Sequence, residues 1–362
     1  MTNRNAQSCD ILVVGTGYYA EIMLADLAAT ARTAITVVIG GRNVERMKWL
    51  VEACRARAVN FGSPASFSSV ELDSTSSAAL AEGIRRVKPR IVVQSASAQS
   101  PWKVDIADSE WSTLVAKAGF GLTLAFNSLL AFRTATALKQ IGDGTIFVNT
   151  CYPDGVNQVL AQAGLPITTG VGNVGIFSSV IGGRLPFEQR RDLRVLAHHR
   201  HIVEWRKPGA ERAGAPVRAW IGDTELSDID DFTRDIRLPY RELNMISAAN
   251  AVPVLLALAG EGARRAHVPG PHGKGGGYPV MVDPSGVRLD LPSSITEAEA
   301  VAWNRQFEEV DGVSIRDGRV IYADRVGSLL ATYSPELAKG FAVTDVEEAA
   351  ADLDVLRAKL TA

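Results

Sequence analysis

The stretch VLAHHRHIVEW, residues 195–205, holds three of the five histidines in this 362-residue chain. An imidazole titrates near neutral pH and is also a common metal ligand. If the stretch is a strand, alternation places His199 and His201 on one face and His198 on the other. Three interpretations stay open from the residues alone: a general acid or base, a pair of metal ligands, or a polar strand.

A metal site is the least favoured of the three. Structural zinc takes four protein ligands, and catalytic zinc usually takes three. A third ligand for His199 and His201 would have to come from His267 or His272, which are distant in sequence. The three cysteines are scattered and form no C-x-x-C pair, so they indicate neither a zinc module nor a disulfide framework. We expect no metal.

A glycine-rich turn near the start of the chain is typical of dinucleotide binding. CDILVVGTGYYAEIMLADLAATAR reads as a buried strand, a turn and an apolar helix. The turn fits G-x-G-x-x-G/A: the first glycine permits the turn, the second admits a pyrophosphate, and the last small residue lets the helix pack on the strand. The predicted cofactor-binding residues of this turn are Gly15, Gly17, Tyr18, Tyr19 and Ala20.

The end of the next strand, AITVVIGGRN, favours NADP(H) over NAD(H). A chain built for NAD carries Asp or Glu there to bind the ribose 2′-hydroxyl. This sequence has Gly41, Arg42 and Asn43 instead. Removal of the acid leaves room for a 2′-phosphate, to which Arg42 can donate charge-assisted hydrogen bonds. Asn43 can add a donor and also cap the following helix.

Strands and helices alternate through the first half of the chain, which predicts a parallel, doubly wound sheet. VELD (70–73) and RIVVQSASA (90–98) are two of its predicted strands. Because ligands bind beyond the carboxyl ends of strands in such sheets, we expect Ser95, Ala96 and Ser97 beneath the nicotinamide ribose. The polar loop that follows, with Trp102 and Lys103, is a predicted lid over the substrate.

Residues 145–174, TIFVNTCYPDGVNQVLAQAGLPITTGVGNV, resemble the lactate/malate dehydrogenase superfamily: a strand ends in asparagine, and a glycine-rich strand follows the next helix. RVLAHHRHIVEW and the segment from NMISAANAVPV onward fall where that superfamily has its catalytic-histidine strand and its active-site helix. The resemblance covers most of residues 9–310 as architecture and spacing. The glycine turn with GRNVERMKWL is also similar to NADP-type saccharopine dehydrogenase-like proteins.

The resemblance implies an α/β fold in two parts: a doubly wound parallel Rossmann sheet over residues 9–175 and an α+β substrate domain over residues 176–362. It implies that His199 is the catalytic proton donor and that Asn149 contacts the nicotinamide side of the reacting centre. An imidazole suits the first role because a carbonyl that accepts hydride also needs a proton. Asn244 and Ser247, with Asn250 on the same helix face, are predicted to contact an uncharged polar substrate.

Two roles of the superfamily have no counterpart in this sequence. An aspartate that orients the histidine and an arginine that binds the substrate carboxylate are expected just after the glycine-rich strand. Ile176 and Ser179 lie near those positions instead. Arg184 is the nearest cation along the chain. A simple 2-hydroxy-acid substrate is therefore not expected, because a buried carboxylate without a partner is costly.

Composition excludes several classes of protein. The chain is 46% hydrophobic and 22% charged with a net charge of −2, and it has no basic block suited to nucleic acid. No run reaches the roughly 18 apolar residues of a membrane helix, and the polar start MTNRNAQSCD is unlike a signal peptide. We expect a cytoplasmic protein that acts on a small molecule. The resemblance implies a homo-oligomer, a dimer.

These observations together predict an NADPH-dependent oxidoreductase that transfers hydride to a C=O or C=N carbon. The first alternative is an opine- or imine-type reductase, whose second domain is expected to be helical. Strand-rich stretches such as YPVMVDPSGVRLDL disfavour that architecture but not imine chemistry. The second alternative is a sensor that binds NADP(H) without turnover, which the missing aspartate and arginine favour.

Overall fold

The structure, a computed structural model, describes residues 9–99 and 109–361. The predicted lid residues Trp102 and Lys103 lie outside these residues. The confirmed part of the expected fold is the central sheet, which has six parallel strands in the order β3-β2-β1-β4-β5-β6. They are β1 (Cys9–Val14), β2 (Thr36–Gly41), β3 (Ser66–Glu71), β4 (Pro89–Gln94), β5 (Ile146–Asn149) and β6 (Thr169–Gly170).

One strand prediction was displaced along the chain. β3 spans Ser66–Glu71, whereas the sequence predicted a strand at 70–73. Only Phe67 of this serine-rich strand is fully buried, because β3 is the edge strand of the sheet. An edge strand has too few buried side chains to give a clear alternating pattern.

Helices cover both faces of the sheet, as a doubly wound fold requires. Three of them begin with side-chain caps: Asn43 accepts from the Arg46 N–H at 2.9 Å, as predicted, Ser76 accepts from the Ala79 N–H at 3.2 Å, and Ser109 accepts from the Ser112 N–H at 3.1 Å. The helices of this part are α1 (Tyr18–Thr30), α2 (Val44–Phe61), α3 (Ser77–Val87), α4 (Glu110–Ala118), α5 (Leu124–Ile141) and α6 (Pro153–Gln162).

The second part mixes helices with three small antiparallel sheets, so the α+β expectation is confirmed. Its helices are α7 (Asn173–Arg184), α8 (Phe187–Arg190), α9 (Arg200–Trp205), α10 (Ile229–Phe232), α11 (Asn244–Ala259), α12 (Glu297–Arg305), α13 (Glu308–Asp311), α14 (Asp324–Ala331) and α15 (Val346–Thr361). The sheets are β7 (Leu193–Leu196), β8 (Arg218–Ile221) and β9 (Thr224–Glu225); β10 (Arg264–Pro269), β11 (Gly277–Asp283) and β12 (Gly286–Leu289); and β13 (Val313–Arg316), β14 (Arg319–Tyr322) and β15 (Phe341–Ala342).

The C-terminal helix of the chain packs against the first part. Leu353 and Leu356 of α15 share a hydrophobic core with Leu138 of α5 and Phe147 of β5. The predicted division after residue 175 falls inside α7. The two parts therefore share packing through the C-terminal segment as well as through the chain connection, and the division itself stays a prediction.

The helix predicted to line the active site is also the most apolar one. Among the described residues, the helical stretch Arg241–Ala259 is long and apolar enough to cross a membrane. Glu110–Ala118 and Phe120–Ile141 are also long and apolar enough together, but a bend of 117° separates them. About 61% of the apolar part of Arg241–Ala259 is buried inside the protein. α11 packs there against α1 and α7, as a core helix does.

Candidate active site

A cleft of about 1490 Å³ lies at the carboxyl ends of the sheet strands, where they face the second part of the chain. This is the edge at which doubly wound sheets bind their ligands. Most of the predicted site residues line it: Gly15, Gly17, Tyr18, Tyr19, Gly41, Arg42, Asn43, Ser95, Ala96, Ser97, His199, Asn244 and Ser247. Ala20 and Asn149 do not.

The two glycines of the turn differ in backbone conformation and in the space around them. Gly15 has φ +128°, and a Cβ there would lie 2.9 Å from the backbone of Ser95 and Ala96. Gly17 has an ordinary extended backbone, with φ −74° and ψ 178°. A Cβ at Gly17 would meet nothing within 4 Å, so the space in front of it is open. Gly15 is thus needed by the fold, whereas Gly17 keeps the cleft clear.

The first turn of α1 fits a pyrophosphate. Gly17 is its N-cap, and no side chain of the described residues caps the helix, so these residues leave its N-terminal N–H donors for another acceptor. Ala20 is fully buried and packs in the core with Leu24. That is the packing role which the motif assigns to this small residue.

Two tyrosines connect this turn to the second part of the protein. The Tyr19 hydroxyl donates to the carbonyl of Ser247 on α11 at 2.9 Å. The guanidinium of Arg241 lies over the Tyr18 ring, 4.7 Å from its centroid. The predicted cofactor helix and the predicted substrate helix are therefore in direct contact.

Arg42 lies at the end of β2 with an exposed guanidinium on the cleft wall. Within residues 9–99 and 109–361 it makes no hydrogen bond and no ion pair. Asp73 lies near it: hydrogen bonds from Thr75 lower the pKa of this carboxyl most, and the charge of Arg42 lowers it further. An arginine available for a second anion suits a 2′-phosphate, so the residues present fit NADP(H).

The prediction that the three histidines lie on one strand was wrong. β7 ends at Leu196 and α9 begins at Arg200, so all three lie in the turn or the helix after the strand. The His201 N–H donates to the His198 carbonyl at 3.0 Å and closes this turn. Helical rather than strand spacing therefore sends His198 and His201 into the protein together, and His199 alone lines the cleft.

His198 and His201 are neutral structural residues. His201 Nδ1 accepts from the His198 N–H at 2.9 Å, so Nε2 carries the proton and donates to the Ala215 carbonyl at 3.1 Å. Burial, and then the charge of His198, lowers the pKa of His201 to about 4. Burial also lowers the pKa of His198. In the described part of the chain, no group of three or more His, Cys, Asp or Glu residues is placed to hold a metal ion.

His199 is held by a carboxylate. Its Nδ1 lies 3.2 and 3.3 Å from the two carboxylate oxygens of Asp311, which is itself buried. Burial is the largest single influence and opposes the charged imidazolium, but the charge and hydrogen bond of Asp311, together with the charge of Asp154, outweigh it, and the pKa of His199 is raised. Burial alone would raise the pKa of Asp311, yet the charge and hydrogen bond of His199 hold it well below its usual range. Nε2 has no hydrogen-bond partner among the described residues.

Asp311 is a carboxylate partner of His199 that the sequence did not predict. An orienting aspartate was expected just after the glycine-rich strand, but Asp311 comes from α13, 112 residues beyond His199. Nothing in EEVDGV distinguishes it from a surface acid. A second acid, Asp154 at the start of α6, accepts from the His199 N–H at 3.2 Å and from the Asn173 side chain.

Asn149 fixes the turn after β5. Its amide nitrogen donates to the Cys151 carbonyl at 3.0 Å and to Asn157 Oδ1 at 2.9 Å, and its oxygen accepts from the Cys151 N–H at 2.9 Å. The side chain is completely buried and does not line the cleft. The next residues, Thr150 and Cys151, line the cleft instead, and a contact of Asn149 with nicotinamide stays a prediction.

The substrate end of the cleft combines amides, apolar side chains and cations. Asn244 and Ser247 line it, whereas Asn250 donates to the Gly172 carbonyl at 3.2 Å and lies behind the wall. Arg184 forms two hydrogen bonds with Asp235, at 2.6 and 2.8 Å, and takes no part in the cleft. The cleft is lined by four cations that the sequence analysis did not predict: Lys117, Arg200, Arg206 and Arg325.

Comparison with known proteins supports the fold. No protein family and no curated protein matches the chain. Among solved structures, malate dehydrogenase from Cryptosporidium parvum is similar with a TM-score of 0.50 and 12% identity, over 83% of this chain and 96% of that one. Malate dehydrogenase from Aeropyrum pernix has a TM-score of 0.49 and 16% identity, over 91% and 99%. The minor L-lactate dehydrogenase from Enterococcus mundtii has 0.49 and 15%, over 84% and 96%. At 12% identity, the likeness to the Cryptosporidium parvum enzyme shows the fold alone: this chain has the α/β architecture of a malate dehydrogenase.

Proposed function

We propose that this protein is an NADPH-dependent oxidoreductase that reduces a C=O or C=N bond of a small molecule, or runs the reverse reaction. The observation that carries the proposal is the His199–Asp311 pair in the same cleft as the glycine turn. The fold shared with malate dehydrogenases supports it. NADP(H) is proposed over NAD(H) because Arg42 stands where an NAD-binding chain carries an acid.

The residues of the chain divide the work. When bound, NADP(H) supplies or accepts the hydride. His199 Nε2 gives the proton to the substrate oxygen or nitrogen as the neighbouring carbon is reduced, and takes it back in the reverse direction. Asp311 fixes the Nδ1–H tautomer and stabilises the imidazolium. Asn244 and Ser247 are placed to hydrogen-bond the substrate.

The site and the fold bear differently on the two alternatives, a non-catalytic sensor and an opine- or imine-type reductase. The orienting aspartate, whose apparent absence favoured a non-catalytic sensor, is supplied by Asp311. The antiparallel sheets of the second part do not match the helical domain expected of an opine enzyme. Imine chemistry stays open, because a C=N bond needs the same hydride and proton. The cytoplasmic location and the dimer remain predictions; light scattering after size-exclusion chromatography would measure the oligomeric state.

The test begins with NADPH oxidation by wild-type protein across a panel of ketones, 2-oxo acids and imines. His199→Asn should then lower kcat by roughly 10²–10⁴, the usual contribution of a positioned acid, with NADPH binding intact. His272→Asn is the matched control, because His272 lies outside the cleft with φ +51°, a conformation that asparagine tolerates. Full turnover by His199→Asn, or tight NADPH binding by wild type with no substrate turned over, would contradict the proposal.

A further inference from the structure

Tyr152 has a strained backbone at the edge of the site. It lies between β5 and α6 with φ +41° and ψ +57°, a left-handed conformation that bulky residues rarely adopt. The next residue is proline, which disfavours helical and turn conformations before it. Gly155 leaves room for the ring, because a Cβ there would lie 3.0 Å from a Tyr152 ring carbon. Such strain persists only where the surroundings impose it, and it is concentrated at functional sites.

The hydroxyl of Tyr152 reaches the carboxylate that holds the histidine. It donates to Asp311 Oδ2 at 2.7 Å, and the same oxygen lies 3.2 Å from His199 Nδ1. The Tyr152 ring meets the imidazole edge-on, with centroids 5.0 Å apart. Tyr152 and Asp311 are both buried. One carboxylate is therefore shared by two donors, a phenol and an imidazole.

We propose that Tyr152 is a positioning residue: by sharing the Asp311 carboxylate, its hydroxyl fixes that carboxylate and limits how strongly it retains the proton of His199. A hydrogen bond from a neutral donor spreads the carboxylate charge and so weakens its attraction for a neighbouring cation. Burial and the charge of Asp311 raise the pKa of Tyr152 well above its usual value, so the phenol remains a donor throughout the neutral range.

Other charged groups around His199 also influence its pKa and must stay unchanged when Tyr152 is substituted. Asp311 on α13 and Asp154 on α6 favour its charged form, and Arg206, just after α9, opposes it. The neighbouring His198 stays neutral because it is buried. Tyr152→Phe alters none of these charges. It also keeps the same ring and backbone, so it removes only the shared hydrogen bond.

The experiment measures the pKa of His199 from the pH dependence of its imidazole NMR signals, identified by their loss in His199→Asn. Tyr152→Phe should raise this pKa by about half a unit to one unit, because Asp311 then acts on His199 alone. Asp311→Asn should lower it. In the Asp311→Asn background, Tyr152→Phe should have no further effect, since no carboxylate remains to share. Tyr322→Phe, another buried tyrosine, is the matched control.

An unchanged or lowered pKa in Tyr152→Phe, or an equal shift in the Asp311→Asn background, would overturn the proposal. Thermal unfolding of each variant verifies that it is folded. The inference rests on the proposed function only for its catalytic meaning: in the active enzyme, the high-pH limb of kcat should move up with the pKa of His199. If the pKa of His199 responds as expected but no carbonyl or imine is ever reduced, the proposed function fails. The inference that Tyr152 limits the pKa of His199 through Asp311 is then still supported.

Discussion

At the residue scale, surroundings rather than residue type separate the three adjacent histidines. His199 faces a carboxylate and the cleft, and its pKa is raised. His201 is buried between backbone groups, and its pKa falls to about 4. A carboxylate hydrogen-bonded to the ring stabilises the charged form, whereas burial without such a hydrogen bond disfavours it. The same side chain therefore favours its charged form at one position and is a neutral structural residue two positions later.

The low pKa of His201 predicts how stability depends on pH. Unfolded histidine titrates near 6.5, so from there down to about pH 4 the unfolded state binds one more proton and stability falls as pH falls. His201→Gln should remove a slope of up to about 1.4 kcal/mol per pH unit over this window. Denaturant unfolding of both proteins at pH 5, 6 and 7 measures it. Parallel slopes would mean that His201 does not titrate on unfolding as described.

Arg42 gives the second prediction at this scale. Arg42→Ala should weaken NADPH binding by about 2 kcal/mol, the size of a hydrogen-bonded ion pair, and leave NADH binding almost unchanged. Arg55→Ala on α2 is the control, because Arg55 pairs with Glu52 and does not line the cleft. Calorimetric titration of both cofactors decides it. Equal losses for NADPH and NADH would exclude contact with a 2′-phosphate.

At the scale of elements, the junction of β1 and α1 separates folding from binding. Gly17→Val should fold normally, because the backbone there is ordinary and a Cβ at this position would meet nothing within 4 Å. It should abolish binding of both cofactors by filling the space before the helix N-terminus. Fluorescence titration with NADPH and thermal unfolding measure the two effects.

Gly15→Ala is the contrasting variant. Its φ of +128° and the 2.9 Å approach to Ser95 and Ala96 should cost about 1–3 kcal/mol of stability. If Gly17→Val still binds NADPH, the glycine turn is not a cofactor loop. If Gly15→Ala is as stable as wild type, the turn is less constrained than its geometry implies.

At the scale of the whole molecule, the last helix completes the core of the first part. Leu353 of α15 is 1% exposed among residues of α5 and β5. Leu353→Ala should lower the free energy of unfolding by about 2–4 kcal/mol, as for other buried leucines. Val355→Ala, at a position 72% exposed on the same helix, should change it by less than about 0.5 kcal/mol. Similar losses in both variants would argue against this docking.

The sequence by itself determined the features that depend on neighbours along the chain. A strand, a glycine turn and a helix follow one another within residues 9–30, so the dinucleotide-type fold and the turn could be predicted from local pattern. The cap at Asn43 is set within one helical turn. The choice of His199 relied on a resemblance in position, and the strand assumed around it was wrong because the change from β7 to α9 leaves no mark in HHRH.

Only the tertiary structure decided which groups surround His199. Asp311 lies 112 residues beyond His199 in the chain. Tyr152 comes from the turn between β5 and α6, and the sequence around it does not predict its left-handed backbone. Asn149 lies at a strand end, but its side chain hydrogen-bonds Asn157 and the backbone of Cys151 within its own loop. Whether a polar side chain faces a ligand or a neighbouring backbone depends on contacts between distant segments, which local periodicity does not record.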